Sequence, residues 1–352
     1  MTTTRVLETK VGSIALKNPL IAGSAEHLID ADGVRRALHA GVGAVVVKST
    51  NETAAGRDQL QRAEYLLLDE QWRPLPWATG APMSAVVACR SGLTPARFND
   101  WLDETAKLDH EARDLDAYAI ASIILADLDA AVSMARQVQL AGIRVLELNI
   151  GTPYASVAAK GVVSTELEPE RIVEIVSAVR AAITIPLWVK ITGQSERVPA
   201  LAAAAYAAGG DAVVMAGRLL GLVPDVETLA PMLGTTLGVG GFWNLPLTCH
   251  WLALTRAGVG KSKALVATNG AQSGLDVARM MLAGASAVQM SSPVMHRGFE
   301  VLSNALADLE AYLMRKGLTA TELIGRAADS RQSFAQMPLK TDNWRNYIPR
   351  VR

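Results

Sequence analysis

Four stretches share one order of apolar and polar positions: HAGVGAVVVKS (39–49), LAGIRVLELNI (140–150), AAGGDAVVMAG (207–217) and LAGASAVQMSS (282–292). Each runs from Ala-Gly through a few mixed residues into an apolar stretch and then a polar or small tip. The pattern predicts a helix that ends at Gly41, Gly142, Gly209 or Gly284, because glycine accepts the left-handed conformation that closes a helix. A short, wholly apolar strand follows, as in a parallel sheet covered on both faces. PLIAGS (19–24), AYAIASIIL (117–125), IPLWVKIT (185–192) and ALVATNG (264–270) supply four more short runs rich in branched residues. Eight strands are thus predicted, starting near residues 19, 43, 117, 145, 186, 212, 264 and 286. Amphipathic helices are clearest at 129–142, 169–183 and 274–284.

Eight alternating βα units predict an α/β protein of the closed (β/α)8 TIM-barrel type, which needs about 250 residues. The rival open doubly wound sheet requires a glycine-rich turn after its first strand, and GSAEHL (23–28) does not supply one. The 352 residues are therefore expected to form one domain: an N-terminal polar hairpin, the barrel, a long insertion after strand two at 51–116, and a helical tail at 317–352. A Trp-containing excursion of that length reads as a lid or binding wall.

Composition narrows the function classes. Lys+Arg and Asp+Glu both number 34, so the formal charge is zero and nothing suggests a nucleic-acid partner. Only Cys89 and Cys249 are present. They cannot ligate a zinc or iron–sulfur centre by themselves, no His/Glu metal constellation appears, and no disulfide framework is suggested. The start lacks a signal-peptide plan and no uninterrupted apolar stretch is long enough to span a membrane. A cytoplasmic protein without a membrane partner is expected.

Chemistry in a barrel collects at the C-terminal strand ends. There the chain carries Gly23 and Ser24, Lys48 and Ser49, Ser122, Asn149 with Thr152, Lys190, Gly217 and Arg218, Asn269 and Gly270, and Ser291 and Ser292. Two of these are lysines that directly end apolar runs, VVVKS and LWVK. A lysine there is costly unless a neighbouring carboxylate or an electron-rich ligand meets it; two at equivalent ends point to a ligand. Small residues and hydroxyls after strands seven and eight suit a phosphate. GKS at 260–262 follows a helix and precedes a strand, the wrong context for a phosphate-binding loop of the Walker type.

NPLIAGS, VVVKS, LELNIGTP, IPLWVKIT, ATNGAQSGLDVARMMLAGASAVQMSS and GVGGFWNLP resemble the FMN domain of the dihydroorotate and dihydropyrimidine dehydrogenases, over about residues 5–316. The short hairpin is similar to the soluble class-1 type. The resemblance implies an FMN-dependent oxidoreductase acting on a CH–CH or C=C bond. It implies that Gly23, Ser24 and Ser49 line the flavin, that Lys48 lies beside its ring, and that Lys190 faces its N1–C2=O edge. Asn149 would bridge flavin and substrate, and Gly241, Asn269, Gly270, Ser291 and Ser292 would hold the phosphate.

The substrate half of the family pattern is altered. The turn Asn-x-Ser-Cys-Pro-Asn reads Asn149-Ile150-Gly151-Thr152-Pro153-Tyr154, so the proton relay is expected at Thr152. Cys89, Tyr154 and Gly217-Arg218 stand where the family places Asn. A site built to pair with a pyrimidine would lose those hydrogen bonds. Arg218 suits a carboxylate instead. The expected substrate is thus small and anionic, contacting Asn149, Tyr154, Arg218, Cys89 and His27. The alternatives are a genuine dihydroorotate or dihydropyrimidine dehydrogenase with threonine as relay, and a flavin-binding scaffold without activity. Trp243 either covers a ligand edge or packs in the core. With no cluster of its own, the chain would pass electrons to a soluble acceptor or a redox partner protein. Class-1 resemblance implies a homodimer.

Overall fold

The computed structural model describes residues 6–78, 80–151, 168–215, 217 and 219–349. Eight strands close a parallel barrel in sequence order. They are β1 (Leu20–Ala22), β2 (Ala44–Val46), β3 (Tyr118–Ile124), β4 (Leu146–Asn149), β5 (Leu187–Lys190), β6 (Ala212–Met215), β7 (Ala264–Thr268) and β8 (Ala285–Met290). Each falls on a run singled out by the hydrophobic pattern. The four repeat glycines have φ of +94°, +79°, +95° and +121°, the conformation their position after a helix demands. Helices α1 (Ala31–His39), α2 (Phe98–Asp114), α3 (Leu128–Leu140), α4 (Pro169–Ala182), α5 (Val198–Ala207), α6 (Leu245–Val259), α7 (Gly274–Leu282) and α8 (Glu300–Lys316) form the outer layer. Side-chain caps start several of them: Asp30, Asp127 and Ser273 accept from the backbone N–H three residues on.

The barrel interior is packed, not hollow. Ile21, Val46, Ile120, Val145, Trp188, Val214 and Val266 fill it, and the N-terminal hairpin Thr9–Val11/Ile14–Leu16 closes its lower end with Val11, Ile14 and Leu16. Trp188 has no exposed surface.

Segment 51–116 is not one excursion. Its last part, Phe98–Asp114, is α2 of the second βα unit. What precedes it builds three strands of a five-stranded antiparallel sheet, in the order Leu219–Gly221, Leu237–Gly240, Val86–Arg90, Glu64–Leu68, Pro74–Leu75. Two of those strands come from the connection after β6. Leu68, Val86, Ala88, Leu237 and Val239 form one face of this sheet and pack with Val223 and Trp243. Of the two readings of Trp243, packing is the one observed. The tail begins with short helices at Ala320–Leu323 and Arg326–Asp329, and Arg256 of α6 clasps Asp329.

Among the described residues no helix is long and apolar enough to cross a membrane. Replacing Trp188 by Ala opens a cavity at the centre of the barrel and is expected to cost about 3–5 kcal/mol, measured by guanidinium unfolding. A loss below about 1 kcal/mol would contradict a filled interior.

Candidate active site

Side chains alternate along a strand, so every second residue points into the barrel. The inward row of β4 runs Val145, Glu147, Asn149; that of β5 runs Trp188, Lys190; that of β8 runs Ala287, Gln289, Ser291; that of β2 runs Ala44, Val46, Lys48. The first members of each row belong to the apolar interior. The next members are polar, and with them the barrel changes from a core into the floor of a cavity.

Glu147 is fully buried on that floor. An isolated carboxylate there would be costly, and the structure surrounds it with donors. Lys190 Nζ lies 3.4 Å from Glu147 Oε1, and Gln289 Nε2 donates to Glu147 Oε2 at 2.6 Å. Lys190 also donates to Gln289 Oε1 at 2.9 Å. Ser122 adds a bond to Glu147 at 3.4 Å and lies 2.8 Å from the Ser49 hydroxyl, which in turn is 3.1 Å from that of Ser24. One polar layer therefore joins strand ends around the barrel. An ammonium has three donors. Two on Lys190 are taken, and Lys190 lines the cavity. Asn149 sits beside it in register. Its Oδ1 accepts from Gly151 N at 3.2 Å, which leaves its amide N–H groups to face the cavity.

Lys48 has a carboxylate of its own. Its Nζ is 2.9 Å from Glu26 Oε1, which also accepts from Tyr65 OH at 2.7 Å. Sequence reasoning missed Glu147, Gln289 and Glu26. Glu147 and Gln289 stand inside apolar runs, and an inward polar residue in such a run must be paired. That signal was available.

Backbone shape completes the cavity. Gly23 follows β1 where a Cβ would come within 2.4 Å of Ser291 Oγ and 3.2 Å of Gln289 Cβ, so glycine lets the ends of β1 and β8 lie side by side without displacing the Ser291 hydroxyl. Asn269 adopts φ +70° and Gly270 φ +118°. Asparagine tolerates that left-handed geometry better than most residues, which explains how it stands in a glycine position. Ser24, Ser49, Asn269, Gly270, Ser291 and Ser292 all line the same cavity as Lys48, Asn149 and Lys190. Its roof is the inner face of the antiparallel sheet. There Val87 pairs with Gly240 and Cys89 with Gly238, so glycines leave room opposite each side chain.

Not every expected residue meets there. Gly241 precedes the turn at Phe242–Asn244, next to the lining residue Gly240. His27 lines a neighbouring open cleft with Glu26, Tyr65 and Trp77, and its ring packs edge-on against Phe299 with centroids 5.7 Å apart. Thr152, Tyr154 and Arg218 lie outside the described residues.

A buried cation on the floor, hydroxyls on one side and a Gly/Ser end at β7 and β8 describe a receptor for a flat heteroaromatic ring with a phosphate. Comparison with known proteins agrees. Residues 79–313, well over half of the chain, match the family model described as dihydroorotate dehydrogenase. The chain belongs to the dihydroorotate dehydrogenase family. It is 26% identical over 326 residues to "Dihydroorotate dehydrogenase B (NAD(+)), catalytic subunit" of Methanocaldococcus jannaschii, covering 92% of this chain and 98% of that one. To the protein of the same name in Methanothermobacter thermautotrophicus it is 27% identical, covering 92% and 99%. It is similar as well to "Dihydroorotate dehydrogenase A (fumarate)" of Lacticaseibacillus paracasei, 31% over 179 residues, covering 50% and 60%. The dihydroorotate dehydrogenase family uses FMN and acts on CH–CH bonds, which makes this chain an FMN-dependent oxidoreductase. The chemistry of the described lining suits that cofactor: Lys190 supplies a cation on the floor, and Asn269, Gly270, Ser291 and Ser292 supply small and polar groups at the ends of β7 and β8.

Burial holds the His27 imidazole far below its ordinary range, to a pKa of about 3, with Lys48 acting in the same sense and Glu26 against it. Both ring nitrogens are shielded and lack a hydrogen-bond partner among the described residues. His296 is buried likewise, with a pKa of about 4, and Arg297 adds to the effect. In the unfolded chain both titrate near the ordinary value of about 6.5. Below that pH the unfolded state binds the extra protons, so stability present at neutral pH is lost as pH falls toward the folded values. Each histidine contributes a slope that approaches about 1.4 kcal/mol per pH unit below pH 6.5, or about 1.6 kcal/mol between pH 6.5 and 5. His27→Phe is expected to remove about half of the combined acid-side loss in denaturant titrations at the two pH values. An unchanged slope would show that His27 is not held neutral.

Proposed function

We propose that this enzyme acts on a small substrate other than a pyrimidine, bound between the sheet roof and the polar floor. The observation that carries the reading is Cys89, which lines the cavity opposite Gly238. Gly23, Ser24, Lys48, Ser49 and Lys190 would hold the flavin ring, and Gly241, Asn269, Gly270, Ser291 and Ser292 its phosphate. FMN, when bound, would supply the two-electron chemistry, as a hydride acceptor or donor for a substrate carbon. Asn149 orients the substrate through its amide, and Thr152 hands the accompanying proton on, through water or in concert, because a hydroxyl is a weak base on its own. The sheet roof keeps bulk water from the reacting carbon.

Substrate choice follows from what lines the walls. Cys89 replaces an amide-bearing residue and faces the cavity opposite Gly238. It offers none of the hydrogen bonds that select a pyrimidine. Lys48 and Lys190 are each balanced by a carboxylate, so selectivity for an anion is assigned to Arg218, with Tyr154 as a second substrate residue. The same reading makes the protein a cytoplasmic homodimer, reoxidised by a soluble acceptor or a redox partner protein. A second reading is supported by the names of the relatives: a genuine dihydroorotate dehydrogenase with threonine as the relay.

Thr152→Ala is expected to keep FMN, seen by its visible absorbance, and to slow single-turnover flavin reduction by about 10²-fold or more. An unaltered rate would remove Thr152 from the mechanism. Arg218→Ala is expected to weaken the affinity for a carboxylate substrate by about 10-fold or more. Rapid turnover of dihydroorotate by the wild type would establish the second reading in place of the first.

A further inference from the structure

We propose that Glu147 and Gln289 are positioning residues that set the effective charge of Lys190, and through it the reduction potential of the bound flavin. The proposal rests on the FMN reading above. Glu147, Lys190 and Gln289 form a closed triangle. Each side is a hydrogen bond or ion pair, of 3.4, 2.9 and 2.6 Å. The three come from β4, β5 and β8 and are all buried. Gln289 has only one workable orientation there. Its N–H group must point to the carboxylate, which turns its carbonyl oxygen to the ammonium. Lys190 is therefore held from two sides and cannot follow a ligand into the cavity or swing out of it.

The triangle also weakens the cation. A carboxylate and a carbonyl oxygen both face the ammonium in a site with little water, where charges are poorly screened. Reduction of a flavin places negative charge on its ring, and a cation at the ring edge favours it. Glu147 opposes that effect at short range. The pairing thus lowers the potential below what Lys190 alone would produce.

Shape and charge can be separated at position 147. Glu147→Gln keeps the shape and removes the charge; Glu147→Asp keeps the charge and shortens the side chain. The flavin of each purified holoenzyme is titrated against a reference dye, followed by visible absorbance, with no substrate present. The expected result is a more positive potential in Glu147→Gln and a potential near the wild type in Glu147→Asp, whichever melts lower. Gln289→Met removes the carbonyl dipole and is expected to shift the potential in the same direction by less. Equal potentials in all FMN-loaded variants would overturn the proposal, as would a shift that follows side-chain length and not charge. If Glu147→Gln does not fold, Gln289→Met decides alone: a positive shift supports the proposal and none overturns it. A wild-type protein with no flavin absorbance would overturn the FMN reading itself, an outcome visible before any potential is measured.

Discussion

A carboxylate inside a barrel must be paired, and the upper half of this structure is organised around meeting that requirement. Glu147 has no solvent contact. Its burial would be prohibitive without Lys190 and Gln289, and those residues come from strands far apart in sequence. The pairing therefore does two things. It fixes the register at which three strands end, and it leaves a cation with one free donor at the floor of the cavity. This polar floor is the layer that reconciles a packed apolar barrel with the polar cavity directly above it.

Three layers stack along the barrel axis. The hairpin and Trp188 exclude water from below. The polar layer follows, from Ser24 through Ser49 and Ser122 to Glu147. The antiparallel sheet lies above, with glycines opposite Val87 and Cys89. Each depends on the one beneath it. A loosely packed interior would admit water to the ion pair, and a mobile ion pair would spoil the floor on which the roof defines a slot. Lys48 obeys the same rule at the cavity's side, where Glu26 balances it and Tyr65 steadies Glu26.

Much of this was legible in the sequence. Each barrel strand is a short apolar run after a glycine-closed helix, a local pattern that needs no knowledge of the rest of the chain. Lys48, Lys190, Asn149, Ser291 and Ser292 were legible because they end such runs. Glu147 and Gln289 were less legible because they lie within apolar runs and not at their tips, and Glu26 because it lies in the turn after β1. Gln289 meets Glu147 and Lys190 only because the closed barrel brings β8 opposite β4 and β5, which is invisible locally. The strands Leu219–Gly221 and Leu237–Gly240 escaped for a related reason: they are short, and pairing with Val86–Arg90 defines them. His27 was placed near the cavity by its position after β1, but the turn at Glu26–Leu28 puts it at the edge of the next cleft, with its ring packed against Phe299.

The most direct test of the central claim is a crystal structure of the FMN-loaded protein. The account predicts that Lys190 Nζ keeps its contacts to Glu147 and Gln289 while donating its remaining hydrogen to the N1–C2=O edge of the flavin, with the phosphate among Gly270, Ser291 and Ser292. A flavin bound away from this floor, or a Lys190 that leaves Glu147 to reach it, would contradict it.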